Sequence, residues 1–134
     1  TADTEKKVKS SMVQFYMMIA KTINDRDADL NAYEVSEVPP TAEMKTAASA
    51  SATAVAKELE KIEVPEELKD HKEDLAEAVK NLTESYQVKA EELGKEKPTL
   101  DAANETFVQG EEKLGKVFED LGLNKLALSI EVNG

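Results

Sequence analysis

The only histidine in the chain, His71, stands beside Asp70, with Glu67 four residues before it and Asp74 three residues after it. Residues three and four apart share a helix face, so this spacing would gather two carboxylates and an imidazole, donor types that bind a divalent metal. The chain carries 28 acidic residues, however, and a histidine near two of them is expected from composition alone, so no metal site is assigned. A di-iron carboxylate bundle needs Glu-x-x-His on two helices. One histidine, with Leu68 in the glutamate position, rules that class out. The same histidine is the sole base available to a Ser-His-Asp triad, and no Gly-x-Ser-x-Gly elbow accompanies it. The five glycines, at positions 94, 110, 115, 122 and 134, form neither a P-loop nor Gly-x-Gly-x-x-Gly.

Three weaker patterns also have plain structural explanations. Asp25-Arg26-Asp27-Ala28-Asp29 alternates side-chain oxygens as a calcium loop does, but Leu30 occupies the glycine position and Ser36 the position of the closing carboxylate. It reads as the frayed end of the first helix. Met12, Met17, Met18 and Met44 are thioether donors of the type that suits copper(I), yet Met12 and Met44 fall on apolar stripes, where methionine is a gap-filler. Asn81-Leu82-Thr83 and Asn104-Glu105-Thr106 match the glycosylation acceptor pattern, but both lie within predicted helices. The expectation is a protein that is not an enzyme, with no catalytic residue, no cofactor and no metal ligand.

The elements that carry these residues are helices divided by prolines. Val8, Met12, Phe15, Tyr16, Ile19 and Ile23 recur at helical spacing and predict a first helix over residues 3–29. Pro39 and Pro40 then reverse the chain. Thr41 is a suitable N-cap for a second helix over residues 41–63, whose middle is a run of Ala, Ser and Thr. Such a thin helix lets its neighbours approach, with Phe15 and Tyr16 filling the space that alanine leaves. Pro65, Glu66 and Glu67 suit the opening of a third helix, predicted over residues 65–94 with a seam of Leu68, Leu75, Val79, Leu82, Tyr86 and Leu93. A fourth, over residues 99–121, buries Leu100, Ala103, Phe107, Leu114, Val117, Phe118 and Leu121. Gly110 and Gly115 inside it mark a bend or a close approach. Leu126, Leu128, Ile130 and Val132 alternate with other residues, which predicts an extended tail. The triplet Glu-Val-Pro, at residues 37–39 and 63–65, is too short to establish a duplicated unit. The predicted fold is all-α: a single domain over residues 1–134, an antiparallel up-down four-helix bundle with a short extended C-terminal tail.

Charge narrows the partners. With 17 Lys and Arg against 28 Asp and Glu, the formal charge is −11 over 134 residues. That field repels phosphate backbones and anionic lipid, and the lysines are interleaved with glutamates rather than clustered. No nucleic-acid partner is expected. No run approaches the roughly 20 apolar residues of a membrane span, so no direct membrane insertion is expected either. Cysteine is absent, which removes disulfides and thiolate chemistry. The chain opens on Thr1-Ala2-Asp3 rather than Met, as does a secreted protein or lipoprotein freed of its export signal, and as does a trimmed cytosolic chain. In the polar first connection, the apolar residues Leu30, Tyr33 and Val35 are the candidate interaction residues.

Val64-Pro65-Glu66-Glu67-Leu68-Lys69-Asp70-His71, followed by Leu75 and Tyr86-Gln87-Val88-Lys89-Ala90, resembles the helical part of small secreted or lipid-anchored proteins of Gram-positive bacteria whose roles are undefined. The resemblance covers residues 64–90 and implies an envelope location and a helical bundle, with no functional residues carried over. The expected function is that of a non-enzymatic extracytoplasmic interaction or binding module. It would be the soluble part of a secreted protein or lipoprotein, with a lipid anchor upstream and a protein or small-ligand partner. The alternative is a cytosolic helical adaptor or regulator that acts through a docking surface.

Overall fold

A computed structural model describes residues 2–36 and 39–123. It is all-helical, with no strand among the described residues. Five α-helices pack together: α1 (Ala2–Asn24), α2 (Ala28–Glu34), α3 (Ala42–Glu60), α4 (Lys72–Glu92) and α5 (Asp101–Asp120), with a 3-10 segment over Glu66–His71 leading into α4. The tail expected to be extended lies outside the described residues.

The apolar seams converge on one core. From α1 come Met12, Phe15, Tyr16, Ile19 and Ile23, and from α5 Phe107, Leu114, Val117 and Phe118. Tyr16 meets Phe118 edge to face, with ring centroids 5.4 Å apart, and Tyr86 meets Phe107 the same way at 6.2 Å. Both arrangements suit the quadrupoles of the rings. The small-residue face of α3 (Ala48, Ser51, Ala52) is fully or nearly buried. Its closest helical neighbours are α4 and α2, a short helix unforeseen in the sequence, and Phe15 and Tyr16 of α1 belong to the same core.

That short helix corrects the first boundary. The first helix does not run on to Asp29; it ends at Asn24, and a turn at residues 25–27 precedes α2. Thr22 donates to the Met18 carbonyl and so competes with the helical ladder, and Asn24, Asp25 and Asp27 are poor helix formers. α2 forms because Leu30 and Tyr33 then share a face toward the core. The second break also differs from expectation. Between Pro65 and His71 the chain is 3-10 rather than α, and Leu68 departs from helical geometry at φ −103°, ψ 19°. The turn closes through the Leu68 amide on the Pro65 carbonyl at 3.0 Å, and the segment packs on α1 with Leu68 fully buried.

The helix ends follow their residues. Thr41 Oγ1 accepts from the Met44 amide at 3.1 Å, as an N-cap does. After α5, Gly122 sits at φ +75°, its amide on the Glu119 carbonyl at 3.0 Å and the Leu123 amide on the Phe118 carbonyl at 2.8 Å. This is a Schellman closure, in which a left-handed glycine returns the chain so that Leu123 packs against the core. Gly122→Ala is expected to cost about 1 kcal/mol, because a Cβ is strained in that conformation even with open space around it. Thermal unfolding of the variant checks this, and an unchanged midpoint would count against the closure.

The α4 and α5 pair has the tightest helix contact. Ser85 Oγ donates to the Ala103 carbonyl at 2.7 Å. Further along, Gly110 lies so close to α4 that an added Cβ would stand 2.9 Å from the Ala78 carbonyl oxygen. Lys113 reaches Glu77 at 3.3 Å. Residue numbers fall on one helix as they rise on the other, so this pair is antiparallel.

Candidate functional site

Three places bring functional side chains together. The first surrounds His71. The 3-10 segment sets Glu67, Asp70 and His71 beside Glu5 and Lys9 of α1 and Asp120 at the end of α5, around a cleft of about 550 Å³. Asp74, expected on the same face as His71, does not line this cleft. The expected spacing assumed one continuous α-helix, and the break at Leu68 rotates Glu67 relative to the residues after His71. Among the described residues, no three His, Asp or Glu side chains stand close enough to hold a metal ion.

The second place is an open groove of about 720 Å³ between the end of α3, the connection that follows it, and α4. Ile62, Val64 and Val79 supply its apolar surface; Glu60, Lys80 and Glu84 are among its charged side chains. Pro65 shapes it from the sequence upward. α3 stops at Glu60, and the extended residues before the proline carry Ile62 and Val64 over the side of α4. Gln87 Nε2 donates to Glu60 Oε1 at 2.8 Å and ties the two walls together.

The third place is a polar cluster at the edge of the core, where the partly exposed Glu34 side chain of α2 reaches α4. Lys89 Nζ lies 3.0 Å from Glu34 Oε1, with the lysine side chain only 7% exposed, and 5.0 Å from the centroid of the Tyr86 ring. Asp27 is 3% exposed, and its Oδ2 has no hydrogen-bond partner among the described residues. Burial pushes the Asp27 carboxyl above the usual carboxylate range; a hydrogen bond from the Asn31 side chain opposes this, Glu34 adds to it and Lys89 subtracts. The Tyr86 hydroxyl is likewise pushed up, by burial first and then by the charges of Asp27 and Glu34.

The structure places the candidate interaction residues apart from the groove. Leu30 is 1% exposed and belongs to the core, Tyr33 is half-buried against it, and Val35 is 76% exposed at the end of α2. Of the calcium-loop resemblance, Asp25 pairs with Lys21 at 2.8 Å, and that hydrogen bond holds its carboxyl below the usual range, while Asp27 turns inward. In the first glycosylation pattern the Thr83 hydroxyl is buried and donates to the Val79 carbonyl at 2.8 Å. The internal cluster was missed in the sequence although a signal was present. Lys89 falls three residues after Tyr86 and four before Leu93, squarely on the apolar seam, where a lysine requires a buried partner. Among the described residues no helix is long and apolar enough to cross a membrane. Compared with protein families, curated proteins and solved structures, the chain matches none of them.

Proposed function

We propose that this chain is a non-enzymatic interaction or binding module that works outside the cytoplasm, as the extracytoplasmic part of a secreted protein or lipoprotein, and that it takes its partner in the groove between α3 and α4. The observation that carries the reading is the groove itself. Its volume of about 720 Å³ and its mixture of Ile62, Val64 and Val79 with Glu60, Lys80 and Glu84 suit apolar side chains of a partner flanked by polar ones. The location rests on the resemblance of residues 64–90 to secreted and lipid-anchored helical proteins. In this reading α1, α3, α4 and α5 are the four helices of an up-down antiparallel bundle, with α2 set into its first connection; the antiparallel register of α4 on α5 supports it.

A photo-crosslinking residue placed at Lys80, on the groove, and another at Glu112, on the outer face of α5, test the proposal in host cells. The expected result is one discrete adduct from position 80 in the envelope or secreted fraction, with none from position 112. Adducts that are identical from both positions, or a chain confined to the cytosol, would overturn it.

A further inference from the structure

α2 is seven residues long and is bounded by the turn at residues 25–27 and by the stretch that leads to Pro39 and Pro40. So short a helix has almost no stability of its own, and its helicity depends on docking. Leu30 supplies the apolar part of that contact. The polar part lies at its two ends: Glu34 stands 3.0 Å from Lys89 Nζ, and the N-cap Asp27 is buried with one carboxylate oxygen that has no hydrogen-bond partner among the described residues.

The charges facing Asp27 can be counted by element. α2 contributes Asp27 itself, Asn31 and Glu34, and α4 contributes Tyr86 and Lys89. From α3, Ser51 donates to the Arg26 carbonyl rather than to the carboxylate. The Arg26 guanidinium is engaged elsewhere, with the Thr22 carbonyl at 3.4 Å and Glu58 at 3.9 Å. The ion pair of Lys89 is made with Glu34, and a carboxylate oxygen of the buried Asp27 is left without a hydrogen bond among the described residues. Among these residues Asp27 is therefore a buried carboxyl without an ion-pair partner of its own.

We propose that α2 is a proton-tightened clasp: uptake of one proton by the buried Asp27 seats α2 on α3 and against Lys89 of α4, and loss of that proton loosens α2 while the other helices stay folded. The sign follows from linkage. The Asp27 carboxyl is held above its ordinary value when α2 is seated and returns to that value when α2 opens, so the seated form takes up the proton more readily. The stabilisation is complete below the ordinary value and is lost as pH rises through the raised one. Opening uncovers Leu30 and the part of α3 on which α2 rests, including the Ser51 contact.

Hydrogen–deuterium exchange of the amides at residues 31–35, corrected for intrinsic rates, tests the clasp at about pH 3, below the ordinary aspartate value, and at about pH 8. In the wild-type chain their protection is expected to fall at the higher pH, by about tenfold for each unit by which the seated Asp27 exceeds its ordinary value, while α4 and α5 amides keep theirs. Asp27→Asn removes the titrating charge with little change of shape, and its α2 protection should be equal at the two pH values. Carbon NMR titration of the wild-type Asp27 carboxyl provides a reading independent of any variant. Equal wild-type protection at both pH values, a pH dependence that survives Asp27→Asn, or an Asp27 that titrates in the ordinary range would each overturn the clasp.

Discussion

Replacing Lys89 with alanine is expected to destabilise the protein by about 2–3 kcal/mol, between the values for an exposed and a fully buried ion pair, because Lys89 is buried and its partner Glu34 is partly exposed. Three losses combine at this position. Glu34 loses its partner at 3.0 Å, the Tyr86 ring loses a cation 5.0 Å from its centroid, and Asp27 is left in a buried setting that has become wholly negative. Lys89→Met separates these from packing, because methionine keeps the aliphatic stem while removing the charge. The methionine variant should lose less than the alanine variant and recover part of that loss as pH falls through the raised Asp27 value. Urea unfolding of the three proteins at two pH values measures both effects. A loss from Lys89→Ala below about 1 kcal/mol would match an exposed ion pair and would show that the cluster is not sealed from water.

Gly110 is expected to resist every substitution, against the direction that helix propensity predicts. In an exposed helix interior, glycine to alanine stabilises by about 1 kcal/mol. At Gly110 the new Cβ would stand 2.9 Å from the Ala78 carbonyl oxygen, 3.1 Å from Leu82 Cγ and 3.2 Å from Leu82 Cδ2. The nearest of these atoms is backbone, held by the hydrogen bonds of α4, so relief requires the two helices to separate. Overpacking of this kind costs about 1–3 kcal/mol. Gly110→Ala should therefore be net destabilising, and Gly110→Val should lie near about 3 kcal/mol, since its branched side chain adds bulk on the same side. A stabilised Gly110→Ala variant would mean that α4 and α5 lie farther apart than described.

The comparison of sequence with structure divides by the kind of signal each element emits. Long seams were legible, because Met12, Phe15, Ile19 and Ile23, or Leu75, Val79, Leu82 and Tyr86, repeat often enough to define a face. The Thr41 cap was legible for the same local reason: a single side chain satisfies a single amide. α2 was not legible, since Leu30 and Tyr33 give one interval of three and no repeat, and the helix exists through its contact with α3. The 3-10 segment was hidden by a seam in which Leu68 and Leu75, seven residues apart, fit a continuous α-helix equally well. The groove depends on where α3 stops, and helix ends are the least certain part of any periodic pattern. Lys89 was visible as a lysine on an apolar seam, but its partner Glu34 lies on α2, the helix that the sequence pattern does not announce.

Lys89 also bears on how α4 is aligned with its neighbours. A seam made only of leucine, valine and tyrosine is nearly degenerate under a shift of seven residues, since each side chain then meets a position of similar shape. One lysine removes that degeneracy. A slip of one heptad in one direction would bring Leu82 to the place opposite Asp27 and Glu34 and leave them without a cation, and a slip in the other would carry the Lys89 ammonium group to the buried place of Leu82. The ionic cluster therefore acts as a registration mark that misaligned packings cannot reproduce.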